Sequence, residues 1–155
     1  MSDQSDLFPP ATHKAISLWQ PWASLWVSDR KIHETRHWPT SYRGWLLVHA
    51  AKRFEKDFPY ESPLHAILDS EFGNHWGIDL PTGALIGMVR LVGCVPIESL
   101  PPDHAGTDDF VCGDFSAGRF AWRRTDYEVF ARPIPYRGAQ GFFNVPSRAM
   151  TGPLT

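Results

Sequence analysis

The sequence predicts an α+β fold whose sheet curls into a small β-barrel with short flanking helices. Three observations lead there. Segments of strand character are scattered along the chain instead of alternating regularly with helices, and only two segments carry helical spacing. Gly83, Gly87 and Gly93 punctuate the strongest strand segment, as they do where a small barrel bends or two backbones approach closely. With 155 residues, 43% of them hydrophobic, the chain suits one compact domain with one core. The expected division is a flexible segment over 1–13, a domain over 14–146 and a loose tail over 147–155.

A short apolar stretch at 14–18 leads into Trp19-Gln20-Pro21-Trp22, and Pro21 suits the first turn of a helix because its missing N–H has no partner there anyway. The spacing of Trp22, Leu25 and Trp26 predicts a short helix over 21–28 with those side chains on one buried face. Residues 31–38 then read as a strand polar on both sides, with Glu34 and Arg36 on one side and His33, Thr35 and His37 on the other. Such a strand is an exposed edge or the wall of a polar pocket. After a turn, 45–51 is apolar apart from His49, which predicts burial on both faces.

Leu64, Ile67 and Leu68 predict an amphipathic helix over 63–72, which Gly73 terminates. Residues 74–82 read as a loop, and 83–95 as a long curved strand. An acidic loop follows over 100–118. One or two strands are expected over 119–132, and 142–145 closes the fold.

The net charge of -2 argues on its face against a nucleic-acid partner, but the charges are segregated. Between 30 and 53, six basic residues face the single acid Glu34; acids dominate from 55 to 114; basic residues return from Arg119 to Arg137. If the two basic stretches meet, they form a local positive cleft; otherwise they are solvated faces of mixed sign. Cys94 and Cys112 form neither a CxxC pair nor a metal-type cluster, so neither a disulfide scaffold nor a zinc ribbon is expected, and no metal ligand set is assigned. The N-terminus lacks the apolar core of a signal peptide, and no apolar run is long enough to span a bilayer. A soluble, cytoplasmic protein without a membrane partner is the expectation.

Several segments, in order, resemble the ASCH domain family. They are Ile16-Ser17-Leu18-Trp19-Gln20-Pro21-Trp22-Ala23, then Lys31 with Glu34-Thr35-Arg36-His37-Trp38, Tyr42-Arg43-Gly44, and His49-Ala50-Ala51-Lys52. Gly83-Ala84-Leu85-Ile86-Gly87, Arg119-Phe120-Ala121-Trp122, Tyr136-Arg137-Gly138 and Gly141-Phe142-Phe143-Asn144-Val145 continue the series. The resemblance implies a PUA-like β-barrel of the stand-alone bacterial or phage type. It also implies a cleft lined by the first motif, the Lys-to-Arg strand and the segment after Tyr-Arg-Gly, and a role in RNA metabolism. Some members of the family act as enzymes: one type removes the acetyl group from acetylated cytidine, and another is described as a metal-dependent ribonuclease.

A cleft for RNA, single-stranded nucleic acid or a modified nucleoside needs cations for phosphate, an aromatic face for stacking and polar groups for the base edge. Arg36, Arg43 and Lys52 are candidates for phosphate, with Arg119, Arg137 and Gln140 as further lining. Trp19 and Tyr42 are candidates for stacking, and Gln20 for the base edge. Each has a plain structural alternative: Trp19 as core, Gln20 as a helix cap, Arg36 as the ion-pair partner of Glu34.

For hydrolysis, acetyl-removing members of the family use a Lys, a Thr three positions later and a distant Glu. Here Lys31 has Glu34 in the third place and Thr35 one further. That leaves an inverted arrangement, with Glu34 as base and Lys31 stabilising an oxyanion. For the ribonuclease alternative, Lys52 and Ser116 resemble positions that such members use, and the resemblance implies a divalent metal in that case; the binding reading requires no cofactor. His37 and His49 are candidates for proton transfer only if they line the cleft.

Overall fold

The computed structural model describes residues 11–150. Six strands form one mixed sheet: β1 (Thr12–Gln20), β2 (His33–Arg36), β3 (Gly44–Phe54), β4 (Ala84–Pro96), β5 (Phe120–Pro135) and β6 (Phe142–Pro146). Their order is β2-β5-β4-β3-β1-β6, with β1 and β3 parallel and every other neighbouring pair antiparallel. The helices are α1 (Trp22–Trp26), α2 (Pro63–Phe72), α3 (Trp76–Asp79), α4 (Asp108–Val111) and α5 (Ser147–Met150). β1 starts at Thr12, inside the expected leading segment; residues 1–10 and 151–155 of the two expected terminal segments lie outside the described residues.

The α+β class and the short helices agree with the sequence reading, but the sheet is not closed into a barrel. Closure needs hydrogen bonds between the two end strands, whereas among the described residues β2 pairs with β5 alone and β6 with β1 alone. The seam between them is occupied by the cleft described below. β2, polar on both faces, is an edge strand and also lines a pocket, so both expected roles fall to one element.

The apolar pattern explains where the core sits. Leu46, Leu47, Val48, His49 and Ala50 on β3 are all buried, as an apolar run in a central strand requires. On one sheet face Ile16, Leu18, Val48, Val89 and Trp122 pack against Ala23 and Trp26 of α1. Leu25, on the same short helix, joins a second cluster with Leu64, Ile67 and Leu68 of α2 and Trp76 of α3. Across the sheet, Ala15, Leu47, Leu85 and Val145 form a third cluster that Phe143 and α5 help to cover.

The terminators act as the local chemistry dictates. Ser62 caps α2 by accepting from the His65 amide, Pro63 occupies its first turn, and Gly73 ends it at a φ of 81°. Gly87 answers a close approach: a Cβ there would stand 2.3 Å from the Glu128 carbonyl oxygen, beside a register shift between β4 and β5. α3 and α4 fall within segments expected to be loops. Each has only four residues, too few to display a helical period.

Candidate nucleic-acid cleft

A cleft of about 1500 Å³ opens between the end of β2 and the 135–141 segment that leads into β6. Its volume exceeds the roughly 300–1,000 Å³ of ordinary small-molecule pockets, so it has room for an extended ligand. Trp19 comes from β1, Arg36 from β2, Lys52 from the end of β3, and Arg137 and Gln140 from the loop after β5. Among the described residues the lining includes three cations, Arg36, Lys52 and Arg137, and no Asp or Glu. On a chain of net charge -2 this is a marked local segregation.

The floor is a polar relay. Ser17 and His49 are register partners on the parallel strands β1 and β3, and Ser17 Oγ lies 2.8 Å from His49 Nδ1. His49 Nε2 lies 2.7 Å from the Tyr136 carbonyl oxygen. A carbonyl only accepts, so the ring proton sits on Nε2 and Nδ1 accepts from the Ser17 hydroxyl. Gly138 closes over the pair, and a Cβ there would meet His49 Cε1 at 2.7 Å and Ser17 Oγ at 3.1 Å.

Burial lowers the His49 pKa, opposed by the hydrogen bond to Tyr136. The unfolded chain therefore takes up a proton near pH 6.5 that the folded chain refuses, so stability is full above that pH and falls as the pH drops below it. The thermal midpoint is expected to decline from about pH 7 to about pH 5.5, and His49→Gln to flatten that part of the curve. A midpoint with the same pH dependence in both proteins would contradict the assignment.

Trp19 is 43% exposed, not core, and one face of its indole carries the Arg53 guanidinium at 4.0 Å from the ring centroid. Arg36 packs over the Trp38 ring at 4.7 Å and faces Glu34 at 3.8 Å. Its Nε is buried without a hydrogen-bond partner, the only such side-chain atom among the described residues. Burial lowers the Arg36 pKa; Glu34 opposes that shift and the like charge of Arg119 adds to it. The two basic stretches of the sequence do meet: Arg36 and Lys52 share the cleft with Arg137, and Arg36 shares an adjoining pocket with Arg119.

A smaller pocket of about 360 Å³ adjoins the cleft and shares Ser17, Trp19, Arg36 and His37 with it. Lys31 and Glu34 line it as a buried ion pair of 2.9 Å, with side-chain exposures of 1% and 9%, and the Lys31 ammonium lies 5.1 Å from the Trp22 ring centroid. Arg119 lines the same pocket, donating to Thr35 Oγ1 at 3.3 Å and to the Thr35 carbonyl at 2.9 Å.

Four candidates fall elsewhere. Gln20 is fully buried: its Oε1 accepts from the Ser24 amide at 3.0 Å, and its Nε2 donates to Ser24 Oγ at 2.7 Å and to the Pro81 carbonyl at 2.8 Å. That is the helix-cap alternative, with the amide fully committed. Tyr42 donates to the Trp45 carbonyl and packs against Phe142. Arg43 donates to the Thr40 and Tyr42 carbonyls at 3.0 and 2.8 Å. Ser116 is exposed, its amide bonded to Asp114, and lines neither cavity.

Sequence reasoning missed Ser17, whose partner is visible only once β1 and β3 are in register, and Arg124. The guanidinium of Arg124 is buried and donates to the carbonyls of Trp26, Ser28 and Lys31, clamping the segment between α1 and β2. Nothing in its sequence neighbourhood distinguishes it from the exposed Arg123.

A family model described as the ASCH domain matches residues 16–104. Activating signal cointegrator 1 of Homo sapiens is 36% identical over 109 residues, which are 63% of this chain and 18% of that protein. The Mus musculus protein of the same name is 39% identical over 111 residues, with the same coverage. The chain thus spans less than a fifth of these relatives. A crystal structure of ASCH from Zymomonas mobilis superposes with a TM-score of 0.55 at 18% identity, covering 90% of this chain and 91% of that one. A point variant of the same bacterial protein gives 0.50 at 16% identity, covering 90% and 94%. At these identities the two structures speak to the fold alone.

Proposed function

The chain belongs to the ASCH domain family, and from that premise we propose that its cleft binds RNA or another single-stranded nucleic acid, with a modified nucleoside as the smallest ligand of the same chemistry. The observation that carries this reading is the cleft lining, which among the described residues holds three cations, no carboxylate and an exposed indole. Lys52 and Arg137, both exposed, take phosphate oxygens, and Arg36 faces the anion from the wall of the cleft. Trp19 offers a stacking face, worth about 1–3 kcal/mol per base in sites of this kind. Gln140 stands at the rim as a polar contact for a base edge. Arg119 adds a further positive charge beside Arg36 from the adjoining pocket, a like-charge neighbour that an anion between them would relieve. The experiment is a titration with fluorescently labelled single-stranded RNA: saturable binding that weakens as salt rises supports the reading, and absence of binding removes it.

A second reading, a hydrolase acting on acetylated cytidine, draws on one observation: Lys31 and Glu34 form a buried pair at the small pocket, under the Trp22 ring. In that reading Glu34 takes a proton from water, whose oxygen attacks the acetyl carbonyl, and Lys31 stabilises the oxyanion; collapse of the oxyanion breaks the C–N bond as Glu34 returns the proton to the leaving amino nitrogen, releasing cytidine and acetate. Turnover of acetylated cytidine, abolished in Lys31→Met with the fold retained by circular dichroism, supports it; no turnover by the wild type removes it. The ribonuclease version retains Lys52 in the cleft but loses support for Ser116.

A further inference from the structure

We propose that His33, His104 and Asp109 form a binding site for a zinc-class divalent cation, separate from the nucleic-acid cleft. None of the three lines either cavity. His33 belongs to the edge strand β2, His104 to the 3-10 turn Pro102–Gly106, and Asp109 to α4. The acidic segment, empty of function in the sequence reading, folds back so that its histidine and its carboxylate meet the histidine of β2.

The donor atoms converge. His33 Nδ1 and His104 Nε2 each lie 2.7 Å from Asp109 Oδ2, and the three ligand atoms all lie within 4.8 Å of one another. Two imidazoles and one carboxylate are a recurrent protein ligand set for zinc, leaving the fourth tetrahedral position to water or a ligand. Side-chain exposures of 12%, 13% and 6% leave the group reachable from solvent without dispersing it.

The surroundings hold the carboxylate in place. Asp109 Oδ1 accepts from the backbone amides of Ile32 and His33 at 2.6 and 2.8 Å, fixing which oxygen faces the rings. Burial opposes ionisation of Asp109, but hydrogen bonds from both histidines and the His33 amide outweigh it and hold the carboxyl well below the usual carboxylate range. Phe115 lies edge-on to His33 and His104, and Phe110 edge-on to His104, giving an apolar wall of the kind that shields metal sites. Thr107 caps α4 by accepting from the Phe110 amide at 3.2 Å, which fixes the short loop between the two ligands.

The spacing sets what an ion must change. Ligands about 2.05 Å from a tetrahedral zinc stand roughly 3.3 Å apart, so each ring opens from hydrogen-bond distance by about 0.6 Å. Each neutral imidazole then carries its proton on the other ring nitrogen.

The test is calorimetric titration of the full chain with zinc chloride, paired with visible spectroscopy of the cobalt(II) form. One equivalent is expected to bind the wild type, with the intense visible bands of four-coordinate cobalt. His33→Asn, whose amide nitrogen takes the place of Nδ1, and His104→Gln, whose amide nitrogen takes the place of Nε2, made separately, keep a donor to Asp109 and so preserve the clamp, yet each removes a direct ligand and is expected to weaken zinc binding by at least the roughly 10–100-fold that loss of an outer-shell partner costs. His75→Gln, at an exposed position outside the cluster, is expected to bind as the wild type does. The proposal is overturned by absence of a saturable single site in the wild type, or by unchanged affinity in both cluster variants; the three residues are then a hydrogen-bonded clamp only. RNA binding is measured separately and is unaffected by either result.

Discussion

Replacing Glu34 by Gln is expected to lower the stability of the domain by about 3–5 kcal/mol, the usual cost of removing one partner from a buried ion pair. The Lys31 side chain is 1% exposed and its ammonium finds Glu34 at 2.9 Å, so the substitution strands a full charge beneath Trp22. Arg36 loses the same carboxylate, 3.8 Å away, while its Nε is already without a partner. At about 2–4 °C per kcal/mol for a chain of this size, the melting midpoint should fall by roughly 10 °C. Removing both charges, in Lys31→Met with Glu34→Gln, is expected to recover much of the loss, since the penalty comes from the unpaired charge more than from the missing attraction. Equal midpoints for the single variant and the wild type would show that the pair is solvated in solution.

Substituting Lys52 and Arg137 together with Ala is expected to weaken single-stranded RNA binding roughly 30-fold near physiological salt. Both side chains are exposed, so each is assigned about 1 kcal/mol, the upper end for exposed ion pairs, and two such losses give that factor. Neither residue belongs to a buried core cluster, so the midpoint of unfolding should stay where it is. Arg43→Ala is the control. Its guanidinium is turned to the Thr40 and Tyr42 carbonyls outside the cleft, and the variant should bind as the wild type does. A defect in Arg43→Ala equal to that of the double variant would move the binding surface away from the cleft.

What could be read from the sequence was local. α2 occupies the expected 63–72 because Pro63, the Leu64-Ile67-Leu68 spacing and Gly73 are all signals within one short window. The buried character of β3 was legible for the same reason. Barrel closure was not, since it depends on whether β2 reaches β6, and an edge strand of four residues pairs on one side only. The site divided along the same line. Arg36, Lys52, Arg137, Gln140 and Trp19 came from different motifs and do share one cleft. Gln20 carried the same motif weight, but its direction was decided by Ser24 and by the carbonyl of Pro81, 61 residues away. Tyr42 and Arg43 turn back onto their own loop, a choice that residue type does not reveal. The convergence of His33, His104 and Asp109 depends on an acidic loop folding onto an edge strand, and their sequence spacing carries no metal-site pattern.

The most direct measurement of the cleft's role is the salt dependence of single-stranded RNA affinity, compared between the wild type and the Lys52→Ala, Arg137→Ala double variant. Each phosphate contact contributes about 0.7 to the slope of log affinity against log salt for a single strand. The expected result is a steep wild-type slope that becomes shallower by roughly 1.4 in the double variant. Wild-type binding that ignores salt, or a slope unchanged by loss of both cations, would contradict recognition of phosphate in this cleft.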